Sequence, residues 1–203
     1  MRLPGWILGF HGCDHRVAEQ LLAGKDEILA SSNAYDWLGA GAYFWENNPS
    51  RALAWAKFLA SPAYSGPRKI KQPAVIGAII DPGLCLDLTE EASLTLIQQA
   101  HANLVRAYSE MEAPMPVNEP GHPSDNDFVK RYLDCAVINF LHQTRAIAVL
   151  EPFDTVRAPF LEGGPLYEGA KIAAKTHVQW CVRSPKRGII GYFRPRNLSA
   201  SHG

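Results

Sequence analysis

Three short stretches carry side chains that could do chemistry together. His11 lies in "GFHG" (9–12), Tyr43 in "GAGAYFW" (39–45) and Gln179 in "THVQWCV" (176–182). Each sits in a segment that reads as a β-strand. An imidazole at a strand end can hydrogen-bond a sugar hydroxyl. A tyrosine face can stack on a flat ring, which adds about 0.5–1.5 kcal/mol beyond area burial. A carboxamide can hydrogen-bond a hydroxyl, but it neither takes a proton nor carries negative charge. Gly12, directly after His11, has no Cβ to keep a ligand from the backbone. Along "THVQWCV" the period of two puts His177, Gln179 and Cys181 on one face, and Val178, Trp180 and Val182 on the other.

The elements that must position these residues follow from local pattern. "WILGF" reads as the first strand. Asp14 caps a short helix carrying Val17, Leu21 and Leu22, which stops at Gly24. The loop "SSNAYDWLGAG" leads into the strand "AYFW". Asn48 and Pro49 then start a helix over "SRALAWAKFLA". "AVIGAIID" is apolar and β-branched, a buried strand that "LCLDL" extends or pairs. Thr89 caps a helix with Leu94, Ile97, His101, Leu104 and Tyr108 on one stripe. Prolines and a glycine exclude regular structure from "APMPVNEPGHPSDND". A second helix is expected from about Asp125, with Phe128, Val129, Tyr132, Leu133, Ala136, Val137, Phe140 and Leu141 at helical spacing. Later come the apolar run "AIAVLEPF", the loop "DTVRAPFLEGGPLYEGAK", and the strands "THVQWCVRS" and "GIIGYFRP", read as an antiparallel pair joined by the turn "SPKRG". Strands at both ends and helices between them predict an α+β fold with a mixed or antiparallel sheet. The whole chain, 1–203, is expected to be one domain with a central αα insertion over about 89–143.

A strand ending in His-Gly, then Gly-x-Gly-x-Tyr-Phe and a helix, resembles the ADP-ribosyltransferase superfamily of diphtheria toxin-like and poly(ADP-ribose) polymerase-like enzymes. The likeness covers "GFHG", "WLGAGAYFWENNPSRALAWA" (37–56) and, more loosely, the C-terminal strand pair. It implies a split-sheet fold and an His-Tyr-Glu triad drawn from three strands. It further implies NAD as substrate and transfer of ADP-ribose to a macromolecular acceptor, protein or nucleic acid, with nicotinamide released. On that reading His11 orients the ribose, Gly12 and Gly41 line the pocket, and Tyr43 stacks on nicotinamide. Gln179 aligns with the usual catalytic glutamate, a departure that leaves the 2′-hydroxyl contact but removes the base. Either Glu162 or Glu168, from the loop before this strand, could supply a carboxylate, or the acceptor needs little activation. Asp36 either polarises His11, bonds the ligand, or closes its own turn. Trp55 either flanks nicotinamide or packs with Leu53 and Phe58. Arg157 either grips a pyrophosphate or pairs with an acid. The alternative is a catalytically silent nucleotide- or protein-binding module on the same fold. A toxin-like effector is the analogy the compact chain suggests, and a toxic enzyme implies a neutralising partner protein.

Other chemistries fit less well. "HGCDH" holds metal-binding residue types, but too close in sequence to converge on one ion. Nothing beside Cys13 activates it as a nucleophile. There is no phosphate-binding Walker loop, and "GAGAYFW" lacks the third glycine and ribose acid of a dinucleotide fingerprint. Twenty basic residues balance twenty acidic ones, which gives no support to a phosphate-backbone partner or to an RNA 2′-phosphotransferase. The basic clusters at 65–73 and 182–188 read as solvated loops. Cys13, Cys85, Cys135 and Cys181 form no disulfide pattern, and a reducing, cytoplasmic setting is expected. No run is long and apolar enough for a membrane span, and the N-terminal residues do not read as a secretory signal.

Overall fold

A computed structural model describes residues 5–64, 66, 69–121 and 127–196. Strand β1 (Ile7–Asp14) runs into helix α1 (His15–Leu22). Asp14 turns the chain at that point, its carboxylate accepting from the backbone N–H of Arg16 at 3.0 Å and of Lys71 and Gln72 at 2.8 and 3.1 Å. Strand β2 (Ala42–Glu46) is followed by α2 (Pro49–Ala60), with Asn48 capping through the Arg51 N–H at 2.9 Å. Strands β3 (Pro73–Ile80) and β4 (Cys85–Asp87) precede α3 (Glu91–Glu110) and α4 (Tyr132–Ile147). The chain then forms β5 (Thr155–Phe160), β6 (His177–Val182), the single turn α5 (Pro185–Gly188) and β7 (Ile189–Phe193).

The seven strands make one mixed sheet in the order β4-β5-β6-β2-β1-β3-β7. Every pairing is antiparallel except β4 with β5. The α+β class expected from the sequence is therefore present, with α3 and α4 as a helical pair between β4 and β5.

Register assigns the faces. Tyr43 and Trp45 lie opposite Cys181 and Gln179, and Val156, Ala158 and Phe160 of β5 share that side. Helix α2 covers this face at Phe10, Trp45 and Val75, while α3 and α4 cover it at Leu86, Val156, Ala158 and Phe160. The other face buries Phe44, Ile76, Ile80, Trp180 and Val182 beneath α1. Each large apolar side chain so buried stabilises by roughly 1.5–3 kcal/mol.

Several expected elements differ. "TVRAPF" was expected in a loop, yet it is β5. The β4 partner pairs only with Thr155, Val156 and Arg157, so Pro159 lies past its end, where no ladder N–H is required. The apolar run "AIAVLEPF" straddles a helix end: α4 continues to Ile147, and Val149 at φ 56° breaks out of it. "LCLDL" pairs not with β3 but with β5 at the far edge. β6 and β7 are not a hairpin: β6 is central, and β7 reaches the opposite edge beside β3. Asp125 lies outside the described residues, but Phe128 and Val129 precede the helix, and Glu119 bridges Lys130 there. Thr89 does not cap α3, since its hydroxyl is held by Asp87 Oδ1 at 2.8 Å. On α3 the buried positions are Ser93, Ala100 and Leu104; Leu94 and His101 face solvent.

Candidate functional site

The strands carrying His11, Tyr43 and Gln179 are neighbours: β1, β2 and β6. Between β1 and β2 the ladder consists of Gly9↔Glu46 and Phe10↔Trp45. It stops where Gly12 would meet Tyr43. The His11 ring fills the seam instead, its Nδ1 2.8 Å from the Tyr43 carbonyl oxygen. A carbonyl only accepts, so Nδ1 carries the proton. The ring also lies 5.8 Å from that of Phe44, and by strand alternation it stands on the Phe44 side of the sheet, opposite the Tyr43 and Gln179 side chains. Tyr43 points to the α2/α4 side, where its hydroxyl donates to Gly39 O at 2.6 Å and accepts from Leu38 N at 2.8 Å. Burial pushes this phenol far above its ordinary pKa. The tyrosine thus pins the loop that precedes its own strand.

Two residues along the β2/β6 ladder, Gln179 lies opposite Trp45 and is buried. Its Nε2 is 2.9 Å from His177 Nε2, and His177 Nδ1 is 2.7 Å from Lys175 O. The Lys175 carbonyl fixes the proton on Nδ1, so neutral His177 accepts from the Gln179 amide. Burial and the nearby Arg51 and Arg131 hold the His177 pKa below the ordinary histidine value. Glu162 sits behind the ring, 3.8 Å from Nδ1, and forms an ion pair with Arg51 of α2 at 2.9 Å. Its side chain is buried, and desolvation raises its carboxyl pKa despite Arg51. Aromatic rings frame the group. Trp45 lies 6.3 Å from His177, Phe160 stacks on it at 5.7 Å, and Trp37 meets Phe160 at a tilt at 4.6 Å beneath the Arg131 guanidinium. Among the described residues, two buried donors here, Trp45 Nε1 and Arg51 Nε, have no hydrogen-bond partner.

The other expected site residues divide. Glu162 reaches the group; Glu168 is exposed, and among the described residues no hydrogen bond or ion pair ties it there. Asp36 does not touch His11: its carboxylate accepts from the backbone and side-chain N–H of Asn33 at 2.8 and 3.1 Å, closing its own loop. Trp55 is 41% exposed and lies against Trp45 and Phe58, at the rim rather than in the core. Arg157 is on the opposite face, held by Glu46 at 2.7 Å and Asp87 at 3.1 Å, so it is an ion-pair residue and not a pyrophosphate grip. Gly12 and Gly41 are required by packing. A Cβ on Gly12 would stand 2.2 Å from Ala52 O of α2, and one on Gly41 2.3 Å from Cys181 Sγ.

The chain matches no family model, no curated protein and no solved structure. Two hollows elsewhere, one of about 180 Å³ lined by Asp81, Asp154 and Arg187 and one of about 230 Å³ lined by Tyr108, Tyr132 and Asn139, contain none of the expected site residues. Cys13, Cys85, Cys135 and Cys181 are buried free thiols. Burial raises Cys13 to about 11 and Cys181 to about 12, so neither is a nucleophile at neutral pH. Among the described residues no helix is long and apolar enough to cross a membrane.

Sequence reasoning placed His177 beside Gln179 by strand alternation but gave it no role. Arg51 left no signal, because only the fold brings the first turn of α2 to the loop before β6.

Proposed function

We propose that this protein transfers ADP-ribose from NAD to a macromolecular acceptor on an ADP-ribosyltransferase-like sheet. The observation that carries the reading is the adjacency of β1, β2 and β6, with the β1/β2 ladder ending at His-Gly and Tyr43. In an antiparallel ladder alternate residues direct their backbone groups to one neighbour. The Asn47 N–H bonds Leu8 O, so Leu8, Phe10 and Gly12 face β2. Past Phe10, the Gly12 amide and carbonyl face the seam, where they suit the carboxamide of nicotinamide. Tyr43 supplies the stacking face, His11 orients the ribose, and Gln179 accepts from the 2′-hydroxyl. The orphaned donors of Trp45 and Arg51 suit a site completed by a ligand.

In the reaction the C1′–N glycosidic bond breaks and nicotinamide leaves with the electron pair. The acceptor nucleophile bonds C1′ and releases its proton. Gln179 cannot offset the developing ribose cation with charge, and Glu162, 3.8 Å from the His177 ring that Gln179 touches, is the carboxylate assigned to that task. The reading is tested by incubating purified protein with labelled NAD and a cell lysate, following nicotinamide release and label transfer. Release that disappears in both His11→Ala and Tyr43→Ala supports the transferase. Tight NAD binding without turnover supports a silent binding module, and absence of both refutes the nucleotide reading.

A further inference from the structure

We infer that His177 is a positioning residue that sets which end of the Gln179 amide faces the ligand, and so makes ligand binding sensitive to acid. The inference rests on the NAD reading above. A glutamine differs from a glutamate in that only one of its two terminal atoms accepts a hydrogen bond. Which atom is presented must be decided by whatever touches the other.

Here the decision is made by two contacts. Lys175 O, 2.7 Å from Nδ1, keeps the proton on that nitrogen. Nε2 is then an acceptor, and it faces the Gln179 nitrogen at 2.9 Å. The carbonyl oxygen of Gln179 is turned away from His177, and among the described residues no donor reaches it. Neutral His177 thus makes the amide present what a carboxylate would present, an acceptor for a sugar hydroxyl.

Protonation reverses this. With hydrogens on both nitrogens, His177 can only donate at Nε2, and the favourable partner becomes the Gln179 oxygen. The amide turns over, and its NH₂ faces the ligand. The charged groups around the ring are Glu162 from the β5–β6 loop, Arg51 from α2 and Arg131 ahead of α4, with Asp127 near Glu162. Two cations and burial oppose the imidazolium, so the turnover lies on the acid side of the ordinary histidine range.

The first experiment needs no ligand. In ¹⁵N-labelled protein, long-range ¹H–¹⁵N spectra report the His177 tautomer, and the Gln179 side-chain amide protons report its partner. At pH 7.5 the expectation is protonated Nδ1 and bare Nε2. On acidification the Gln179 amide protons should shift along the His177 titration curve. A proton on Nε2 at pH 7.5, or amide shifts that ignore the titration, overturns the inference. The second experiment measures NAD affinity against pH. The wild type should lose about tenfold across that titration, the worth of one hydrogen bond to a hydroxyl. Gln179→Glu offers an oxygen in either orientation and should not show this acid loss. His177→Leu should bind weakly at every pH while unfolding as a single cooperative transition. The same acid loss in His177→Leu would overturn the inference. The expected tautomer and coupled titration in a protein that binds no NAD at any pH would instead overturn the proposed function.

Discussion

Replacing Arg157 with leucine separates a structural role from a ligand-binding one. In the structure the Arg157 guanidinium serves two carboxylates. Nε and Nη2 bond Glu46 at 2.7 and 3.4 Å, and Nη1 bonds Asp87 at 3.1 and 3.3 Å. Glu46 also accepts from the indole N–H of Trp180 at 2.6 Å. Asp87 is almost fully buried, while Arg157 and Glu46 keep about a fifth of their side-chain surface. Removing one partner of a buried pair costs about 3–5 kcal/mol. Partial exposure and the remaining donors from Trp180 and Thr89 favour the lower end, about 3 kcal/mol. At about 2–4 °C per kcal/mol for a chain of this size, the melting temperature should fall about 6–12 °C.

The loss has a pH signature. Burial alone would raise the Glu46 carboxyl, but the hydrogen bonds from Arg157 and Trp180 outweigh it and hold it below the ordinary value. A depressed acid contributes stability above its unfolded pKa and loses it as pH falls through the folded one. The Arg157→Leu deficit should therefore be full at pH 7 and shrink below about pH 4.5. Urea unfolding at pH 7, 5 and 4 measures it. NAD affinity per folded molecule should stay unchanged at low temperature, because the residue lies on the face away from Gln179. A variant of normal stability that has lost NAD affinity would refute the reasoning and return Arg157 to the ligand.

Further perturbations test other parts of the account. Gly12→Ala forces a Cβ to 2.2 Å from Ala52 O and should cost about 1–3 kcal/mol in chemical denaturation, with α2 displaced. His142→Leu should stabilise the protein at neutral pH, because both ring nitrogens are buried with no hydrogen-bond partner among the described residues, each orphan costing about 1–3 kcal/mol. Burial, Arg183 and Arg145 lower the His142 pKa to about 3, so the unfolded chain binds the proton first. The advantage of His142→Leu should grow by about 1.4 kcal/mol per unit as pH falls from about 6.5, measured by denaturation at several pH values. Tyr43→Phe keeps the stacking face but removes the bonds to Leu38 and Gly39. It should cost about 1–3 kcal/mol of stability and impair nicotinamide release less than Tyr43→Ala.

Much of the fold was legible because it is local. The Asp14 and Asn48 caps, the glycine stop after α1 and the alternation of β6 are written within a few residues. Pairing was less legible. β6 and β7 look like a hairpin because they are close in sequence, yet the six residues between them carry the chain to the opposite edge. Thr155–Phe160 was expected in a loop, and only the pairing shows that Pro159 falls past the end of its β4 partner. For the site, strand order brought His11, Tyr43 and Gln179 onto adjacent strands, and Glu162 was foreseen as a loop carboxylate that could enter. The Arg51–Glu162–His177 connection spans α2, a loop and β6, and no spacing rule encodes it. Arg157 and Asp36 were ambiguous in the sequence because protein groups and ligands alike satisfy such charges; the geometry shows protein partners for each.

A crystal structure of the protein with NAD is the most direct test of the central claim. The account predicts nicotinamide against the Tyr43 ring with its carboxamide on the Gly12 backbone, and the ribose 2′-hydroxyl within hydrogen-bonding reach of Gln179. NAD seated elsewhere, for example in the hollow lined by Asp81, Asp154 and Arg187, or no NAD at saturating concentration, would contradict it.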